Sequence, residues 1–276
     1  MFATLLLTLT VQGLAEAAID CFSCHDRAAF NQRVNHEPAA EGDCFACHNP
    51  HVARFEGLLQ EKTRDLCYSC HEDEAGEHLQ GFVHAPVTRG ECLGCHDPHA
   101  SNHDNLLNAR SSETCFSCHD SLQSDYKYSH APYAKGQCDT CHLPHQSEFA
   151  YLLKKDADAL CFSCHSRSSV QNQHAGFPAE LGKCGSCHNP HVARFEGLLQ
   201  EKTRDLCYSC HEDEAGEHLQ GFVHAPVTRG ECLGCHDPHA SNHDNLLNAR
   251  SSETCFSCHD SLQRAYKNSH APYAKG

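Results

Sequence analysis

The sequence predicts a mainly irregular chain carrying short α-helices and essentially no β-sheet. Three observations predict it. A five-residue spelling recurs along almost the whole chain and uses every cysteine; its copies begin only 23 or 25 residues apart; and no segment alternates apolar and polar residues for long enough to read as a strand.

The spelling is C-x-x-C-H. Its copies are Cys21, Cys24, His25; Cys44, Cys47, His48; Cys67, Cys70, His71; Cys92, Cys95, His96; Cys115, Cys118, His119; and Cys138, Cys141, His142. They continue as Cys161, Cys164, His165; Cys184, Cys187, His188; Cys207, Cys210, His211; Cys232, Cys235, His236; and Cys255, Cys258, His259. Eleven copies account for all 22 cysteines. Two thiols at this spacing with an adjacent imidazole read as a c-type haem attachment site, in which the thiols become thioethers and the histidine is the proximal iron ligand. A C-x-x-C pair alone also serves zinc or dithiol chemistry. Neither of those, nor a disulfide framework, requires a histidine after every second cysteine.

Eleven covalently bound c-type haems are therefore expected. With 39% apolar residues and no tryptophan, the polypeptide has little from which to build a conventional interior. The haems themselves must supply it, and the apoprotein is expected to be largely unfolded.

In chain order, residues 1–18 read as a secretory signal: an apolar run from Phe2 to Val11, then Ala15-Glu16-Ala17 as an A-x-A cleavage site. No Lys or Arg precedes the run, and it is too short to span a bilayer. No other segment has the character of a membrane helix. Export is also expected because haem of this kind is attached outside the bacterial cytoplasm, so the protein is periplasmic, outer-membrane-associated or extracellular. Residues 19–276 form one repeat array.

The motifs alternate between two flavours. Those at His48, His96, His142, His188 and His236 are followed by x-Pro-His, placing His51, His99, His145, His191 and His239 three residues on. Those at His25, His71, His119, His165, His211 and His259 are followed 9 to 13 residues later by a lone histidine: His36, His84, His130, His174, His224 and His270. Together these make eleven candidate distal ligands for eleven irons. The only methionine is Met1, so bis-histidine coordination throughout is the economical reading. His78, His103, His218 and His243 are left over and read as surface residues.

Three residues span at most about 10 Å, too short to carry His51 around the edge of the haem held by His48. Each x-Pro-His histidine is therefore expected to ligate a neighbouring haem, tying successive haems together. The proline between stops the turn after the proximal histidine from running on. Between motifs, Arg54 to Lys62, the Leu106-Leu107 segment and the Leu152-Leu153 segment read as helices of one to three turns with leucine pairs against a haem face.

Residues 47–123 and 187–263 are identical in sequence, and Gly276 matches Gly136, just before Cys138. A recent duplication and a truncated C-terminus are the expectation. Formal charge is −15 with histidine neutral, and haem propionates add to it, which excludes a nucleic-acid partner.

The run His84-Ala85-Pro86, then Gly90-Glu91-Cys92-Leu93-Gly94-Cys95-His96-Asp97-Pro98-His99, then Leu106-Leu107 and Cys115-Phe116-Ser117-Cys118-His119, resembles the doubled C-x-x-C-H family of multihaem cytochromes. It is also similar to periplasmic decahaem conduits of extracellular metal respiration. The resemblance implies an elongated molecule with a stacked haem chain. It further implies a quinol-oxidising membrane cytochrome as donor and an outer-membrane porin or extracellular cytochrome as acceptor, in anaerobic respiration.

Electron transfer without a catalytic residue is the leading expectation, because irons with both axial positions filled have no site for substrate. The alternative is a reductase for nitrite, hydroxylamine or a sulfur oxyanion, which needs an open iron. A third reading is end-to-end self-association into a conductive filament.

Overall fold

A computed structural model describes residues 20–71, 81–123, 125–166, 182–212, 221–259 and 270. The signal-like residues 1–18 and His78, His174 and His218 lie outside these. The chain divides into two units: Met1–Ser69 with Cys92–Ala109, and Cys70–Glu91 with Arg110–Gly276.

Both are built from the same small parts. In the first unit His36 caps the helix Glu37–Glu41, which has proline in its first turn and ends at Gly42 with φ 78°. In the second, His84, His130 and His224 cap Ala85–Arg89, Ala131–Ala134 and Ala225–Arg229 in the same manner. A single turn then carries the C-x-x-C-H of the first flavour, as at Cys44–Ala46 and Cys138–Thr140. Five of the six second-flavour motifs instead end a longer helix that runs into the first cysteine, Thr63–Tyr68, Ser111–Phe116, Ala157–Cys161, Thr203–Tyr208 and Ser251–Phe256, while the motif at His25 sits on the single turn Cys21–Ser23.

The strand content is three antiparallel pairs of two residues each. Val34–Asn35 pairs with Ala100–Ser101 in the first unit. In the second, Phe82–Val83 pairs with Gln146–Ser147, and Tyr128–Ser129 with Val192–Ala193. In each case a strand preceding a lone histidine meets one that follows an x-Pro-His histidine. These pairs hold the whole buried interior of the described residues: Ala100, Ser101, Ser147, Val192 and Ala193.

The segments with leucine pairs differ from the helices expected. Gly57 and Leu58 have φ 70° and 57°, and Asn105-Leu106, Tyr151-Leu152, Gly197-Leu198 and Asn245-Leu246 are likewise left-handed at both positions. Two successive positive-φ residues make a tight hairpin turn of the primed type. The turn closes on β-bridges from His48 to Leu59, His96 to Leu107, His142 to Leu153, His188 to Leu199 and His236 to Leu247. Leucine in this region costs about 1–2 kcal/mol, so local propensity does not select the turn; its hydrogen bonds to the proximal histidine do.

The polypeptide exposes 21079 Å², against about 12,000 Å² for an ordinary folded chain of its 30.5 kDa mass.

Candidate haem sites

Each motif is wound as one turn. In ten copies the histidine N–H donates to the carbonyl of the first cysteine at 2.9–3.1 Å, as in His25 to Cys21 and His259 to Cys255. That winding brings positions i, i+3 and i+4, the two cysteines and the histidine, to one face. None of the 22 cysteines is in a disulfide, and among the described residues no three His, Cys, Asp or Glu side chains converge on a point that could hold a bare metal ion.

Burial pushes the Cys184 thiol up to about 12 and Cys207 to about 11. Cys67 is raised well above the ordinary thiol, first by its hydrogen bond with Cys92 and then by burial. The same thiol pairing joins Cys44 to Cys21 and Cys184 to Cys161. In these pairs the first cysteine of a second-flavour motif touches that of the first-flavour motif after it.

The proximal histidines of the first flavour are oriented by the left-handed turns. Nδ1 of His48 meets the Gly57 carbonyl at 2.7 Å, His96 that of Asn105 at 2.8 Å, and His142 that of Tyr151 at 2.9 Å. His188 meets Gly197 at 2.7 Å and His236 meets Asn245 at 2.8 Å. An Nδ1–H donated to a carbonyl leaves Nε2 with its lone pair toward the metal. Glycine, asparagine and tyrosine all serve because the acceptor is backbone. The constant spacing of nine residues was the only signal in the sequence.

A second positioning device sits inside x-Pro-His. The side chains of Asn49, Asp97, Asn189 and Asp237 accept from the backbone N–H of His51, His99, His191 and His239 at 2.9–3.1 Å. These Asx turns set the histidine beyond the proline, and leucine at position 143 cannot make one.

Six pairs of imidazoles face each other. His99 lies opposite His48 with ring centroids 5.9 Å apart and planes 19° from parallel. His191 lies opposite His142 at 5.9 Å, and His239 opposite His188 at 5.7 Å. Lone histidines face the second motif of their own repeat: His84 and His119 at 6.0 Å, His130 and His165 at 6.1 Å, His224 and His259 at 6.0 Å. A metal–imidazole bond of about 2 Å, with about 1.2 Å more to each ring centre, separates two axial imidazoles by about 6 Å. The observed centroid separations of 5.7–6.1 Å match that spacing. Burial lowers the pKa of His99, His188 and His191, keeping the neutral, ligating form.

Of the eleven candidate distal histidines, His174 lies outside the described residues. Among the described residues no motif histidine faces His51 or His270, and no second histidine faces His25 or His236. The cause is the reach of the pairing: an x-Pro-His histidine meets the first-flavour motif of the preceding repeat. His103 and His243 are half-buried ahead of the left-handed turns, their N–H groups donating to Ser101 and Ser241 at 3.0 Å.

Repeated single-turn C-x-x-C-H motifs, five of them with the imidazole oriented by a backbone carbonyl, define a multihaem c-type cytochrome. The family described as "Doubled CXXCH motif" matches the chain five times, over residues 36–76, 84–124, 130–169, 177–216 and 224–264, and the chain belongs to that family. Each match spans one x-Pro-His motif and the second-flavour motif after it, and four of the five begin at the lone histidine, the match over 177–216 starting after His174. No curated protein matches the chain.

Proposed function

We propose that the protein is an exported electron carrier holding eleven c-type haems, and that its work is conduction along them. Facing imidazoles carry this reading: two histidines at the spacing of a shared iron leave no position for substrate. When bound, each haem supplies a one-electron couple, and two imidazole ligands without methionine favour a low potential.

The chain's own residues do the rest. The cysteines tether, the left-handed turns hold proximal Nδ1–H, and the Asx turns aim the distal histidine. Contact between first cysteines of consecutive motifs, as at Cys161 and Cys184, supports closely spaced macrocycles. No catalytic residue is assigned. Periplasmic, outer-membrane or extracellular residence and redox proteins as donor and acceptor belong to the same proposal, supported by the chemistry of thioether attachment and by the acidic charge.

The test is an optical redox titration of the purified protein, with haem counted by pyridine haemochrome and intact mass. Eleven haems titrating at low potential are expected, with high-spin iron confined to at most the two at His25 and His236. Absence of covalent haem refutes the reading, and steady turnover of nitrite, hydroxylamine or a sulfur oxyanion moves it to a reductase acting at His25 or His236.

A further inference from the structure

One construction recurs three times with a different residue at a single place. A two-residue strand pairs with another, and the N–H of a lone histidine donates to the carbonyl of an x-Pro-His histidine: His36 to His99 at 3.0 Å, His84 to His145 at 2.8 Å and His130 to His191 at 2.8 Å. The residue ahead of the proline is Asp97 in the first, Leu143 in the second and Asn189 in the third.

The first and third are otherwise matched. Ring centroids are 5.9 Å apart in both His48–His99 and His142–His191, with planes 19° and 23° from parallel. Asp97 accepts from the His99 N–H at 2.9 Å and Asn189 from the His191 N–H at 3.0 Å, and both histidines are half-buried. The turn and its setting are alike, so the difference is charge. A carboxylate brings a negative charge where the amide brings none.

That charge sits beside the ligand. Asp97 Oδ1 lies 3.7 Å from Nδ1 of His99, beyond hydrogen-bond length, so its influence is Coulombic. With Nε2 toward the iron, Nδ1 carries the proton, and an anion beside that proton makes the imidazole a stronger donor. Reduction of ferric to ferrous iron removes one positive charge from the site, so a nearby anion favours the ferric state.

We propose that Asp97 is a potential-setting residue. Its carboxylate holds the haem between His48 and His99 at a lower reduction potential than the haem between His142 and His191, where Asn189 makes the same turn without the charge. Histidine ligation sets the spin state of both, and the residue before the proline ranks them. One electron given up at the first site, Fe(II) to Fe(III), and taken up at the second, Fe(III) to Fe(II), therefore runs downhill, whichever haems carry it between. The inference rests on the haem reading above.

An optical redox titration of the haem-loaded full chain tests it, with dithionite as reductant and ferricyanide as oxidant, on wild type, Asp97→Asn and Asn189→Asp. Asp97→Asn keeps the turn, as Asn189 shows, and removes the charge. Its curve should differ from wild type by one haem, reduced about tenfold more readily, a rise of about 59 mV for a one-electron couple. Asn189→Asp should shift one haem by the same amount in the opposite direction, and neither variant should gain high-spin iron by electron paramagnetic resonance. A curve unchanged in either variant, or moved the other way, overturns the inference. A shift accompanied by new high-spin iron also overturns it, because the side chain then acts only by placing the histidine. Pyridine haemochrome and the wild-type resonance spectrum separate this from failure of the haem reading: without covalent, low-spin haem both fall.

Discussion

Val52 and Val192 occupy the same position in identical sequences, 74% and 1% exposed, so one substitution made twice isolates what the strand pair contributes. Val192→Ala removes about two buried methylene equivalents at about 0.8 kcal/mol each, and the cavity left behind raises the cost to about 2 kcal/mol. Val52→Ala in dilute protein should stay within about 0.5 kcal/mol of wild type. The sensitive observable is local: the His130 N–H, held by the His191 carbonyl at 2.8 Å, exchanges when this strand pair opens. A loss of about 2 kcal/mol speeds its exchange about thirtyfold, while Val52→Ala leaves it unchanged. Exchange at His130 unaffected by Val192→Ala, or equally accelerated by Val52→Ala, refutes the claim that these two-residue strands carry the polypeptide's interior.

Other outcomes follow from the same geometry. Tyr151→Gly relieves the left-handed strain at φ 59° and should stabilise the holoprotein by about 1 kcal/mol, with Tyr151→Val shifting the denaturation midpoint the other way. Gly136→Ala combines a φ of 69° with a Cβ that would lie 2.6 Å from Ser112 Cβ, and should lower the melting temperature and loosen the turn into Cys138. His191→Ala should convert one haem from low to high spin by magnetic circular dichroism, whereas His103→Ala should leave the spectrum unchanged. Expression without haem attachment should give a chain lacking helical circular dichroism, because the described residues bury only five side chains of their own.

Much of the site was legible in the sequence because the chemistry is local. Cys-x-x-Cys-His is one turn, and the alternation of x-Pro-His with lone histidines named the residues that the fold brings face to face. The limit of about 10 Å between His48 and His51 separated proximal from neighbouring ligand, and His99 is the residue found opposite His48. The turns after His48, His96 and His142 were not legible, since leucine pairs resemble helix while backbone hydrogen bonds to Nδ1 hold them left-handed. The strand pairs escaped for a related reason: two residues such as Val34 and Asn35 have no periodicity to read, and their partners lie more than sixty residues away. Counting alone also hid the offset of the pairing: among the described residues, His25, His51, His236 and His270 have no facing imidazole.

The central claim is that facing histidines fill both axial positions of the irons. Electron paramagnetic resonance of the fully oxidised protein, quantified against total haem, tests it most directly. The account predicts low-spin iron, with high-spin signal confined to at most two haems per chain, those at His25 and His236. High-spin iron beyond those two would mean that imidazoles about 6 Å apart do not share a metal, and would contradict it.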